Sequence, residues 1–287
     1  MPTGRLPQLD RMAIEEVGLN PEKLAAAIHR QLGMTGGPVP VCEIALALDI
    51  VKIRQEPLTN LEGVLLTDPQ RSNGAILVNA RSSPERRRFS VGHELGHFLI
   101  SSHRPLGEEG FRCSSGDMAG NQEASALQRR QESEANSFAI NLLAPLHLSR
   151  KYLTRSPDLE HALAMAADLE LSKEAAARRY VELHREDLAV IFGRQGRVLY
   201  WAASQAFPAL APQKDIQIPT GMANCRIGEV SEMEDAEPTD WLRNPAGVAL
   251  AVQTLAQQNG YSITLLHAEE AESEGDLDDT FGRFPRK

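Results

Sequence analysis

Five consecutive residues, His93-Glu94-Leu95-Gly96-His97, constrain this chain more than any other stretch. Two histidines at i and i+4 fall on one face of a helix, a single turn apart. Both imidazoles can then reach one zinc ion, which favours nitrogen donors in tetrahedral sites. Glu94 lies next to that face, where its carboxylate can take a proton from water that the metal has made acidic. By chance, roughly one or two chains in a hundred of this histidine content would carry such a pattern, so the context decides. Here the motif sits among Phe89, Val91, Leu95, Phe98 and Leu99, as an active-site helix inside a domain should.

A catalytic zinc needs a third protein ligand and one open position. A second long helix, expected over about 123–143 and stopped by Pro145, offers Glu123, Glu132 and Glu134, with Asn141 as a further candidate. Glu132 is preferred. Asn136, four residues on, shares its face and can hydrogen-bond a ligand from behind, which fixes ligand orientation. Spacing alone does not separate the three acids, since most helical glutamates are solvated.

The rest of the chain supplies a frame for these helices. Residues 1–9 read as a loose arm. Asn20-Pro21 opens a helix, Pro40 a second one carrying Ile44, Leu46 and Leu48 inward, and Ser83-Pro84-Glu85 opens the motif helix. Short strands are expected at 51–54, 63–67 and 75–79, the last two joined as a hairpin. Residues 103–122, rich in Gly and Ser, read as a mobile loop. Two helices at about 158–169 and 172–185 follow. Beyond Asp187 the pattern changes to strands at 188–192, 197–201 and 262–267, with one helix at about 245–258. Residues 268–280 hold seven acids and no base, so the end of the chain reads as a disordered acidic tail.

Composition limits the function classes. The net charge of -9 excludes a uniformly basic protein that binds nucleic acid by bulk attraction, and 5% aromatic residues confine any base-stacking platform to a local patch. Three widely spaced cysteines, Cys42, Cys113 and Cys225, fit a reducing compartment, with Cys42 and Cys225 the better core candidates. There is no signal-peptide pattern and no run of apolar residues long enough to span a membrane, so a soluble cytoplasmic protein with no membrane partner is expected.

Two separated stretches carry a resemblance. Pro84-Glu85-Arg86-Arg87-Arg88-Phe89 runs into the motif, and Glu132-Ser133-Glu134-Ala135-Asn136-Ser137-Phe138-Ala139 runs to Leu142-Leu143-Ala144-Pro145. Together they resemble the ImmA/IrrE family of bacterial zinc peptidases over about residues 40–185. In that family pattern the glutamate of the second stretch is the third zinc ligand, and it falls on Glu132. The resemblance implies a narrow endopeptidase that cleaves a helix-turn-helix transcriptional repressor and so switches on a stress or phage-defence programme. It further resembles a subgroup that accompanies anti-phage operons, where DNA damage releases repression and single-stranded DNA is a candidate signal. The expected fold is α+β. A mainly helical zincin-like metallopeptidase domain with a small sheet and a helix-turn-helix-like end covers 1–185. A small mixed α/β sensor-like domain, GAF-like in the radiation-response members, covers 186–268, and the tail 269–287.

Further residues deserve weighing. Arg178, Arg179 and Tyr180 are candidates to stabilise an oxyanion, although packing of the helix pair is the simpler reading. The same pair, with Lys173, Arg178 and Arg179 on a recognition helix, supports the alternative of a DNA-binding regulator whose zinc is structural or absent. The strand at 75–79 can hold an extended substrate by edge addition. Cys113 lies in the loop joining the two ligand-bearing helices, next to Arg112. A thiolate is a strong zinc ligand, and the Arg-Cys pair resembles the inhibitory cysteine switch of matrix metallopeptidase propeptides. Cys113 is therefore expected to occupy the fourth zinc position and hold the enzyme silent. Trp201 and Trp241 read as core.

Overall fold

The computed structural model describes residues 6–105, 111–113, 125–211, 217–218 and 226–271. The chain divides into two compact units, one of residues 1–152 and 164–179, the other of residues 153–163 and 180–287.

In the first unit, α1 (Arg11–Glu15), α2 (Pro21–Leu32) and α3 (Val41–Ala47) precede the strands β1 (Ile50–Glu56), β2 (Gly63–Thr67) and β3 (Gly74–Asn79). Asn20 caps α2 by accepting from Lys23 N, and Gly33 closes it in the left-handed region at φ 62. Helix α4 (Pro84–Leu99) starts with the same chemistry. Ser83 accepts from Arg86 N, and Pro84 stands where a free N–H would be unpaired anyway. Residues 90–99 of α4 are buried on every side, which marks a helix enclosed by the domain. After β4 (Phe111–Cys113) comes α5 (Ala126–Leu143), capped by Ser125.

Helices α4 and α5 approach closely because small residues face one another. A Cβ on Gly92 would meet Ala139, and one on Gly96 would come within 3.1 Å of Phe138 and 3.3 Å of the Ala135 backbone. The glycine between the two motif histidines thus fixes how near α5 can come.

The sheet order is β1-β3-β2-β4, with β1 parallel to β3 and the other pairings antiparallel. The β2–β3 hairpin is as expected. The edge-addition proposal for 75–79 is not supported, because β3 is bonded on both sides and the edges of the sheet are β1 and β4. Part of the expected mobile loop is also ordered. Residues 111–113 pair with β2, and Phe111 and Cys113, two positions apart, both point inward and are buried.

The chain continues through α6 (Leu146–Ser149), α7 (Leu159–Leu169) and α8 (Lys173–Leu183). Residues 153–163 and 180–185 group with the second unit, whereas the sequence placed the break at 186. Local bonds account for this. Leu159 N donates to Gln253 Oε1 at 2.7 Å, and Asp158 N to the Tyr180 hydroxyl at 3.1 Å.

The second unit holds an antiparallel sheet of order β6-β5-β9-β8-β7, from β5 (Asp187–Arg194), β6 (Arg197–Ala203), β7 (Glu234–Ala236), β8 (Val248–Ala256) and β9 (Tyr261–Glu270). The helix expected at 245–258 is instead β8. Its Ala, Leu and Gln residues favour a helix locally, but it pairs with β9 over nine positions and with β7 on its other side. Long-range pairing overrides local propensity here. β9 extends to Glu270, two residues into the expected tail; the remainder from 272 lies outside the described residues. One face of the sheet packs on a core that includes Ile191, Val198, Leu250 and Leu266 with Trp241. Trp201, expected in a core, is 39% exposed on the edge strand β6.

No described helix is long and apolar enough to cross a membrane.

Candidate metal centre

Helix α4 sets His93 and His97 one turn apart, both fully buried, with Nε2 atoms 3.1 Å from each other. Two ring nitrogens this close on one side gain little from one another, and a cation between them would satisfy both. Helix α5 brings Glu132 to the same point. Its Oε2 lies 3.2 Å from His93 Nε2, and its Oε1 lies 3.4 Å from His97 Nε2. β4 supplies Cys113, with Sγ 4.0 Å from Glu132 Oε1. These four buried side chains each bring one donor atom within 4.8 Å of the others, a group able to hold a metal ion.

Electrostatics fit that arrangement. Burial holds the His97 imidazole down at about 3, so it stays neutral with a lone pair free. For Glu132, burial pushes the carboxyl upward, but the imidazoles of His93 and His97 beside it outweigh that and hold the value at about 2. Glu94 is shifted in the other direction. Burial raises its carboxyl well above the ordinary range, the Cys113 thiol pulls it partly back, and the charge of Glu132 adds to the rise. Neither Glu94 oxygen has a partner of hydrogen-bond geometry.

The supporting residues are partly those expected. Asn136 Oδ1 lies 2.9 Å from Nδ1 of His93, so it orients one of the candidate ligands. Glu134 is outside the cluster, bonded to His103 and Arg130. Asn141 is also outside it, its Oδ1 accepting from Arg179. Glu123 and Cys225 lie outside the described residues, as does the side chain of Arg112. Cys113 is buried while Cys42 is only half-buried, the reverse of the expected order.

The oxyanion candidates are engaged elsewhere. Arg179, almost fully buried, donates to Ala144 O at 2.9 Å and Asn141 Oδ1 at 2.8 Å. Arg178 pairs with Glu174 along α8, and the Tyr180 hydroxyl accepts from Asp158 N. Arg179 serves as a tie for the end of α5, because the last carbonyls of a helix have no partner within it. This also removes Arg179 from any recognition surface for DNA. Of the three arginines before the motif, Arg86 pairs with Glu62 and Arg88 with Glu170.

Four residues escaped the sequence reading. Gly63 lies beside Glu94, and a Cβ there would overlap the Glu94 Oε1. Gly96 sets the α4–α5 approach. His103 bonds His97, and Arg71 donates to the backbone carbonyls of His97, Phe98, Ile100 and His103. Only the Gly92 and Gly96 spacing, facing Ala135 and Ala139, left a trace that sequence could have used.

The family model described as the IrrE N-terminal-like domain, Peptidase M78, matches residues 49–180, the span that contains His93, His97, Cys113 and Glu132. Over residues 49–180 the chain is thus similar to the ImmA/IrrE family. Within the curated proteins, the chain is 31% identical over 120 residues to the radiation response metalloprotease IrrE of Deinococcus deserti. That match covers 42% of this chain and 38% of the relative, so the chain spans well under half of the relative's length. Among solved structures, a Mycobacterium tuberculosis transcriptional regulator superposes with a TM-score of 0.52 over 96% of this chain and 98% of its own. At 13% identity that likeness is one of fold. The family match and the buried donor cluster fall on the same stretch of the chain.

Proposed function

We propose that the chain is a zinc endopeptidase that cleaves a helix-turn-helix transcriptional repressor. The observation that carries this reading is the buried cluster of His93, His97 and Glu132 with the unpartnered Glu94 carboxylate beside it. Zinc bonds of about 2.0–2.2 Å in a tetrahedron separate neighbouring nitrogen and oxygen donors by about 3.3–3.6 Å. The separations of 3.1, 3.2 and 3.4 Å approach that spacing closely enough for side-chain shifts of a few tenths of an ångström to close it. His93, His97 and Glu132 would hold the ion, which supplies the positive charge that acidifies water and polarises a peptide carbonyl.

Glu94 is the general base. Neither of its oxygens meets hydrogen-bond geometry with a protein group, and burial raises its proton affinity, so it would take a proton from the attacking water and hand it to the leaving amine. Cys113 would complete the donor set for the ion in the resting protein. Its thiol is buried within the donor cluster, and β4 holds it by pairing with Gly63. Cleavage would then require Cys113 to leave the donor set, which makes the thiol an inhibitory ligand.

The repressor substrate, the stress or phage-defence programme, the DNA-damage signal and its carrier, single-stranded DNA, rest on the resemblance. The name of the Deinococcus deserti relative supports a stress role. The second unit is assigned the sensor role, GAF-like by the same resemblance, in a cytoplasmic protein. The test is to incubate the zinc-loaded chain with candidate helix-turn-helix repressors, any encoded beside it first, with and without single-stranded DNA. Cleavage at one site that stops on chelation and returns with zinc supports the reading. No cleavage of any of them, with tight operator binding by this chain instead, would replace it with a DNA-binding regulator.

A further inference from the structure

We propose that His103 is the positioning residue for His97, fixing its ring and tautomer from the side opposite the donor cluster, and that Glu134 fixes His103 in turn. The inference rests on His97 being a metal ligand. His97 Nδ1 lies 2.9 Å from His103 Nδ1, and His103 Nε2 lies 3.0 Å from Glu134 Oε2. His103 is 1% exposed, although the sequence around it reads as loop.

The proton positions follow from the geometry. His97 Nε2 faces His93 and Glu132, so binding a cation there requires a lone pair on Nε2. The ring proton of His97 is then on Nδ1, and it is donated to Nδ1 of His103. His103 must therefore carry its own proton on Nε2, where the Glu134 carboxylate accepts it. Each bond in the chain leaves one consistent choice for the next, and it ends on a charge that cannot donate. The Arg130 guanidinium, 2.8 Å from the other Glu134 oxygen, holds the carboxylate in place.

The backbone is held as firmly as the rings. Arg71 is buried, and one of its amino groups donates to the carbonyls of His97, Phe98 and Ile100 at the end of α4. Its other amino group donates to the His103 carbonyl. One side chain thus ties the turn bearing His103 to the helix bearing His97. The two motif histidines are supported unequally. His93 leans on the neutral amide of Asn136, while His97 leans on a carboxylate through a second imidazole. A carboxylate behind a ligand imidazole raises its donor strength.

A role in packing alone makes a different prediction from a role in orientation. Asn at 103 can place its carbonyl oxygen near the position of the imidazole Nδ1 and still accept from His97, whereas Leu fills space but accepts nothing. The experiment measures zinc affinity by competition with a chelating dye, and the visible absorption of the cobalt-loaded protein. His103→Leu is expected to weaken zinc binding about 10–100-fold and to shift the cobalt spectrum. His103→Asn is expected to recover most of both. Unchanged affinity and spectrum in His103→Leu, with wild-type binding intact, would overturn this proposal alone. A wild type that binds no zinc would overturn the metal reading and this one with it. If His103→Leu does not fold, Glu134→Ala reads the same chain from its partly exposed end. Weaker zinc binding there is expected, and unchanged binding would overturn the proposal.

Discussion

Gly63 of β2 lies against the carboxylate of Glu94 on α4, with no room between them for a Cβ. Strand and helix therefore meet at the one point where the proposed base must be free to move a proton. Gly63→Ala should displace Glu94 while leaving His93, His97 and Glu132 in place. Turnover is expected to fall on the order of 100-fold, the cost of a displacement of about 1 Å in a reacting group. Zinc content should stay that of wild type. A variant with normal turnover would show that Glu94 has slack the structure does not reveal.

The third ligand can be tested by comparing two acids on the same helix. Glu132→Ala removes an oxygen from the donor cluster and should weaken zinc binding by more than about 100-fold, beyond the 10–100-fold typical of supporting residues. Glu134→Ala acts only through His103 and should weaken it less. Dye-competition titration ranks the two, and the opposite ranking would reassign the ligand.

Cys113→Ala should raise cleavage in the absence of any inducing signal, with zinc retained by His93, His97 and Glu132. The measurement is basal cleavage of the repressor by metal-quantified protein. Basal cleavage equal to that of wild type would reject Cys113 as an inhibitory ligand.

The motif helix, its cap and the second ligand-bearing helix were legible in the sequence because each is a local signal. Ser83-Pro84 starts one helix, Pro145 ends the other, and the two histidines sit one turn apart. Gly63–Thr67 was legible for the same reason. What was not legible depends on distant partners. Val248–Ala256 is a strand only because β9 lies beside it. His103 and Arg71 matter through contacts with α4 across more than one turn of chain, and neither has a spacing that marks it. Arg179 looked available to a substrate, but its charge is committed to the end of α5. The two ligand helices were visible, but the reason they lie so close is the Gly96–Ala135 approach, which is a matter of packing.

His29 gives a pH prediction outside the metal cluster. It is buried, its Nε2 bonds Leu142 O at 2.8 Å, and burial lowers its proton affinity. Its folded value lies below its unfolded one, so the unfolded chain takes up the proton first as pH falls. Stability is then fully present above about pH 6.5 and is lost as pH falls through the folded value. His29→Gln keeps a donor for Leu142 O but cannot titrate. Between about pH 7 and pH 5, its melting temperature should drop less than that of wild type. Equal drops would show that His29 is not kept neutral by the fold.

Proton transfer is separated from binding by comparing repressor cleavage by wild type and by Glu94→Gln at equal, measured zinc content. Gln keeps the shape of the side chain and removes its ability to take a proton. Glu94→Gln should bind zinc and the repressor as wild type does, with cleavage lower by at least about 100-fold, in the range typical of a lost general base. Cleavage at the wild-type rate would contradict Glu94 as the general base.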